Sequence, residues 1–339
     1  MPVPYTASPN TKAKASDYNS NNDFFETLID DENGVGVITV NTSTKEVIHD
    51  GAVVVDNDSL NSGTKARSLL FGGNTSGEYI NSKRTAGGNQ YGLDFYTADI
   101  NVLSFTNAGI MAFQNDYSID VDANGNWVVR NGGASGTIRE VIVPTTGDIN
   151  AALASVVATG TVTLLPGSHT VNAALDIDHG ANVWLRGMGK TTRLEVASGI
   201  SGIIVDEDQI TVSDLTIDLN STGAYGINVL TGANNSLIKN VWVLAIGEND
   251  RGIALGDDGA VVGGIVTNCH VQGTDAAGSI GILADNATGC IISGNYVKDN
   301  ASDVTLSANS ATCTATGNAT DVAVVDSGAG NQTAGNVVF

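Results

Sequence analysis

From Val212 to the C-terminus, apolar and polar positions fall into a six-residue unit that recurs six times. The units are Val212-Ser-Asp-Leu-Thr-Ile217, Ile238-Lys-Asn-Val-Trp-Val243, Val266-Thr-Asn-Cys-His-Val271, Ile292-Ser-Gly-Asn-Tyr-Val297, Ala315-Thr-Gly-Asn-Ala-Thr320 and Thr333-Ala-Gly-Asn-Val-Val338. Their starts lie 26, 28, 26, 23 and 18 residues apart. The first, fourth and sixth positions are predicted to face inward, with a short extended run on either side of the third. That third position is Asp214, Asn240, Asn268, Gly294, Gly317 and Gly335 in turn. Asp, Asn and Gly are the residue types that most readily enter the left-handed region, so each unit is expected to bend there. Extended units repeating at this period predict a solenoid of parallel strands, a parallel β-helix.

Two columns of the repeat carry further expectations. The fourth position changes from apolar residues to Asn295, Asn318 and Asn336, whose amides can hydrogen-bond from coil to coil. The fifth position points outward and brings Trp242, His270 and Tyr296 onto consecutive coils, ~4.8 Å apart. Such a column suits a platform for sugar rings, since aromatic faces offer large apolar area with a polar edge. It equally suits a packing face under a loop or against another subunit, and a three-fold assembly, which must bury some face of every chain, favours packing. The longest inserts between units, around residues 248–264 and 273–279, are where a solenoid usually places specificity.

Upstream, residues 148–157 form the one clear helical pattern, with Thr146 or Asp148 available as a cap. It is followed by Thr161-Val-Thr-Leu-Leu-Pro-Gly-Ser-His-Thr-Val171 and by Ala181-Asn-Val-Trp-Leu-Arg-Gly-Met-Gly-Lys-Thr-Thr-Arg-Leu194. A helix, a strand ending in Leu-Pro-Gly and a Leu-Arg-Gly-x-Gly strand resemble the opening of pectate-lyase-like proteins. That resemblance implies a right-handed β-helix whose open end is plugged by the helix, as unpaired terminal edges require. Gly187-Met-Gly-Lys-Thr191 is no phosphate loop, because Trp184 stands where the first glycine is needed. Residues 119–130 read as a hairpin turning at Asn124-Gly125 rather than a calcium loop, whose twelfth position would be Asn131 instead of Glu.

The N-terminal half carries a second resemblance. Thr11-Lys-Ala-Lys-Ala-Ser-Asp-Tyr-Asn-Ser-Asn21, followed by Phe24 and Phe25, is similar to the attachment segment of bacteriophage tail fibre proteins. Ser82-Lys-Arg, then Gly92-Leu-Asp-Phe-Tyr96 and Leu103-Ser-Phe-Thr-Asn-Ala-Gly109, resemble the shaft of such fibres. The resemblance implies a homotrimer in the virion tail, joined to a tail or baseplate protein and acting on the outside of a bacterial host, with polysaccharide or lipopolysaccharide as receptor. The expected organisation is an attachment segment over 1–33, containing a helix from Ser16 through Leu28 and Ile29, a β-rich shaft over 34–130, a linker over 131–147 and a β-helix with its capping helix over 148–339.

Composition narrows the function. Charged residues are 15% of the chain, aromatics 5%, and the net charge is −21. Nucleic acids and anionic membrane surfaces reward basic patches, so neither is an expected partner, and no apolar run is long enough to insert in a bilayer. The first residues, Met1-Pro-Val-Pro-Tyr-Thr, lack the pattern of a secretory leader. Three cysteines cannot build a disulfide framework; Cys290 and Cys313, each two residues before a unit, are expected to stack as buried thiols. No cofactor or metal is implied, and His49, His169 and His179 are isolated. Glu248, Asp250 and Asp257 are the candidate catalytic carboxylates, near the aromatic column in sequence; a polysaccharide hydrolase or lyase is therefore the alternative to a binding or purely structural fibre subunit.

Overall fold

The computed structural model describes residues 24–27, 38–41, 46–49, 69–70, 78–82, 92–97, 100–106, 110–113, 117–131, 137–219 and 225–339. From Thr161 onward the chain winds as a right-handed parallel β-helix with three sheets. A representative coil contributes Thr211–Ser213 to the first sheet, Thr216–Leu219 to the second and Tyr225–Val229 to the third. Each strand pairs in parallel with its counterparts one coil before and after it.

The repeat dictates this winding. Asp214, Asn240, Asn268, Gly294, Gly317 and Gly335 all have φ between 53° and 70°, turning the chain from the first sheet into the second. Non-glycine residues there are steadied by their neighbours: Asn240 donates its side-chain amide to the Asp214 carboxylate at 3.1 Å. The inward positions Val212, Leu215 and Ile217, with Ile238, Val241 and Val243 above them, are fully buried. The sixth unit departs from this pattern: Thr333 and Val338 are exposed.

The late inward asparagines form a ladder. Asn295 donates Nδ2 to Asn318 Oδ1 at 3.0 Å, and Asn318 donates Nδ2 to Asn336 Oδ1 at 2.9 Å. The same amides donate to the backbone carbonyls of Val266 and Ile292, while Oδ1 of each of the three accepts a backbone N–H from the coil before. A polar column thus enters the core fully satisfied. Cys269, Cys290 and Cys313 are buried free thiols in the same interior, and burial pushes the Cys269 thiol up to about 12.

The helix Ile149–Ser155 closes the first coil. Asp148 caps it by accepting the Ala151 N–H at 3.0 Å, and Ile149, Ala152 and Leu153 turn inward onto the strands Leu175–Ile177 and Thr137–Val143. Within the expected linker 131–147, Thr137–Val143 is a strand. It pairs antiparallel with Trp127–Asn131 and parallel with Thr161–Leu164, so the first sheet continues without a break into the antiparallel strands upstream. The hairpin over 119–130 forms as expected, turning at Gly125 (φ 78°) with the Asp122 carboxylate accepting the Asn124 and Asn126 N–H groups.

One correction falls at the N-terminus. Phe24–Thr27, expected within a helix, is a strand paired antiparallel with Ile38–Asn41, which pairs in turn with Glu46–His49. Adjacent aromatic side chains and Thr27 favour the extended backbone, and a partner strand decides the matter. Residues 1–23 and 28–33, where the rest of the attachment segment was placed, lie outside the described residues. Among the described residues no helix is long and apolar enough to cross a membrane.

Candidate functional site

The outer face of the second sheet is the chemically richest surface of the solenoid. Its strands are Gly167–Val171, Thr192–Val196, Thr216–Leu219, Trp242–Ile246, His270–Gly273, Tyr296–Lys298, Ala319–Thr320 and Val337–Val338. Because side chains alternate across a strand, two outward columns run along it. In the first, Trp242 pairs in register with His270 and His270 with Tyr296, as the hexads predict.

The rings of this column are organised. His270 and Tyr296 stack with centroids 4.9 Å apart and planes 26° from parallel. Phe339 reaches back over Ala319 to stack on the other side of Tyr296, at 5.2 Å and 5°. Lys190 places its ammonium 4.9 Å from the centre of the Trp242 ring. Partial burial, aided by repulsion from Lys190 and Lys298, holds the His270 imidazole below its usual range despite a hydrogen bond with Gln272. The ring is therefore neutral at neutral pH, and the column presents aromatic faces rather than a cation.

The aromatic column adjoins an acidic end. Glu195 and Asp218 are in-register neighbours on adjacent strands, and Arg193 forms ion pairs with both: its Nη2 with Asp218, and its Nε at 3.9 Å from Glu195. Ser168 donates its hydroxyl to Glu195 at 2.7 Å. Thr170, Glu195, Val196, Ala197 and Asp218 line a shallow cleft of about 300 Å³. None of these residues stood out in the sequence as a candidate. The available signal is the shared apolar–acid–apolar pattern of Leu194-Glu-Val196 and Ile217-Asp-Leu219, which places both acids in the outward column beside the aromatic one, ahead of Leu244.

The structure also places a β-bulge inside this face. Ala245 has φ 59°, and the pairing register shifts between Val243 and Ile246. Bulges bend a strand and re-aim its side chains. Here the bulge follows Trp242 directly and leaves Leu244 partly exposed beside it.

The carboxylates singled out from the sequence lie on other turns of the solenoid. Asp250 is fully buried in the turn between the second and third sheets, where its Oδ2 accepts the Gly247 N–H at 2.9 Å. A carboxylate so enclosed shapes the turn. Glu248 is exposed in the same turn. Asp257 follows the third-sheet strand Arg251–Leu255, accepts the Tyr225 hydroxyl at 2.8 Å and lies 3.9 Å from Arg251 Nε. Burial and the Asp257 hydrogen bond hold the Tyr225 phenol above its usual range.

One further acidic group lies on the turns leaving the second sheet. The carboxylates of Asp275, Asp299 and Asp321 come within 4.8 Å of one another, the spacing at which oxygens can share a cation. Lys298 already supplies a positive charge there, 2.9 Å from Asp299, and Gln272 donates to the same carboxylate.

No family model and no curated protein sequence matches the chain. Among solved structures it is similar to a pectin methylesterase in complex with a hexasaccharide, at 13% identity and TM-score 0.29, over 52% of this chain and 61% of that one. It is also similar to the ORF18 protein of Geobacillus virus E2, at 13% identity and TM-score 0.30, over 66% and 68% of the two chains. A third is the A-module of a mannuronan C-5 epimerase from Azotobacter vinelandii, at 19% identity and TM-score 0.27, over 52% and 64%. The chain thus spans less than two thirds of the length of these two enzymes.

Proposed function

We propose that this chain is a fibre or spike subunit of a bacteriophage tail that recognises a glycan of the bacterial surface through the outer face of its second sheet. The observation that carries the reading is the in-register column of Trp242, His270 and Tyr296, uncharged and with His270, Tyr296 and Phe339 stacked, which continues upstream through Thr216 to Arg193 beside the neighbouring column of Glu195 and Asp218. Sugar rings dock by their apolar faces on aromatic side chains and present hydroxyls to carboxylates and guanidinium groups at the edge. A face built purely for packing against a loop or another chain does not need three ion-paired side chains beside its rings. The setting on a virion, attachment through the N-terminal segment and a trimeric assembly follow from the resemblance of residues 9–25 and 70–113 to tail fibres.

Binding of the full chain to purified capsular and lipopolysaccharide oligosaccharides tests the reading. Trp242→Ala and Tyr296→Ala are each expected to weaken binding at least tenfold, about 1.4 kcal/mol, while the protein melts normally. Unchanged binding by both variants contradicts it.

One observation favours a second reading, glycan cleavage. Glu195 and Asp218 are paired in register on adjacent strands and share Arg193, an arrangement of two carboxyl groups in which one can serve as nucleophile and the other as acid and base. New reducing ends on the bound glycan, lost in Asp218→Asn, would move the function from binding to hydrolysis.

A further inference from the structure

We infer that the outer face of the first sheet, over the C-terminal coils, is the surface through which copies of this chain associate. Its residues stack in register: Ile265 pairs with Ile291 on the next strand, Thr267 with Ser293, and Ser293 with Thr316. Ile291 is 41% exposed, an apolar side chain among small hydroxyl ones. No ionisable side chain occurs at any of these positions.

That absence identifies the partner. The chain carries 36 acidic residues and a net charge of −21, so two copies repel unless they meet where carboxylates are missing. Acidic groups crowd the other faces instead: Glu195 and Asp218 on the second sheet, Asp275, Asp299 and Asp321 on the turns beyond it, and Asp257 and Asp258 after the third. An anionic polymer as partner would call for cations, and the nearest on this sheet, Lys239, has its ammonium 5.4 Å from the centre of the Trp184 ring. A second copy of this chain is the partner for which exclusion of negative charge matters most. Association here also leaves the aromatic column of the second sheet open, and the inference stands whether or not that column binds glycans.

Light scattering on the full chain, together with site-specific cross-linking, tests the inference. The wild-type mass is expected to be a multiple of 34.6 kDa. The natural thiols are buried, so Ser293→Cys introduces the reactive one. A short bismaleimide is expected to join Ser293→Cys chains into covalent dimers, and not Gln272→Cys chains, whose thiol sits on the second sheet. Adding Ile291→Asp to Ser293→Cys is expected to cut the cross-linked yield several-fold without altering the circular dichroism. A wild-type monomer, cross-linking of Ser293→Cys no greater than of Gln272→Cys, or a yield indifferent to Ile291→Asp would each overturn the inference.

Discussion

Asn318 occupies an inward position that three earlier coils fill with Leu, Val and Cys, and it is as buried as they are. It accepts the Asn295 backbone N–H and side-chain amide, and donates to Ile292 and Asn336, so its replacement orphans groups on both neighbouring coils. Asn318→Leu should therefore lower stability by roughly 2–5 kcal/mol, read as a fall in melting temperature. A melting curve equal to wild type would remove the ladder. Asp303 is a different case: it is fully buried, and burial together with the neighbouring Asp321 pushes its carboxyl from 3.8 up to about 6. A raised value in the fold means that the protonated form fits best. Its stabilising contribution is complete below 3.8 and is lost as pH rises through about 6. Asp303→Asn, which stays neutral, should gain melting temperature relative to wild type over that window; a constant difference across it would refute the assignment. The asparagine column could be read from the aligned hexads because every member sits at one position of the repeat. The burial of Asp250 could not, since it depends on a turn that aims the Gly247 N–H at its carboxylate.

At the scale of elements, the bends carry most of the information. The αL positions between the first and second sheets are spelled out by Asp, Asn and Gly, which is why the coil is legible there. The third sheet adds a different constraint near the start of its strands, close approach of backbones. A Cβ at Gly252 would lie 2.4 Å from the Gly281 carbonyl oxygen and 2.6 Å from Val271 Cγ1, and Gly226 meets Gly252 in the same way. Gly252→Ala should consequently destabilise the coil by about 1–3 kcal/mol, through overpacking rather than through lost conformational freedom. Thermal melts of the variant measure this, and an unaltered midpoint would show that the coils can separate to admit a methyl group. The bulge at Ala245 left no trace in the sequence, since alanine has no preference for positive φ and the register of the neighbouring strand decides the matter. Glu195 and Asp218 are hidden in the sequence for a related reason. Two acids 23 residues apart look unconnected until the strands Thr192–Val196 and Thr216–Leu219 are known to be neighbours.

The molecule as a whole sorts its chemistry by face. Aromatic rings and ion-paired side chains line the second sheet, small uncharged residues line the late first sheet, and carboxylates gather on the turns. A solenoid makes this sorting possible because each outward position repeats at a fixed height on one side of the coil. The charge of −21 was visible from composition, but its absence from one face emerges only when residues far apart in sequence are stacked in register. Hydrogen–deuterium exchange of the full chain, with and without a bound surface oligosaccharide, addresses the central claim most directly. Slowed exchange should be confined to the second-sheet strands Thr192–Val196, Thr216–Leu219, Trp242–Ile246, His270–Gly273 and Tyr296–Lys298. Protection centred on the first sheet or on the third-sheet strand Arg251–Leu255 instead would contradict the account.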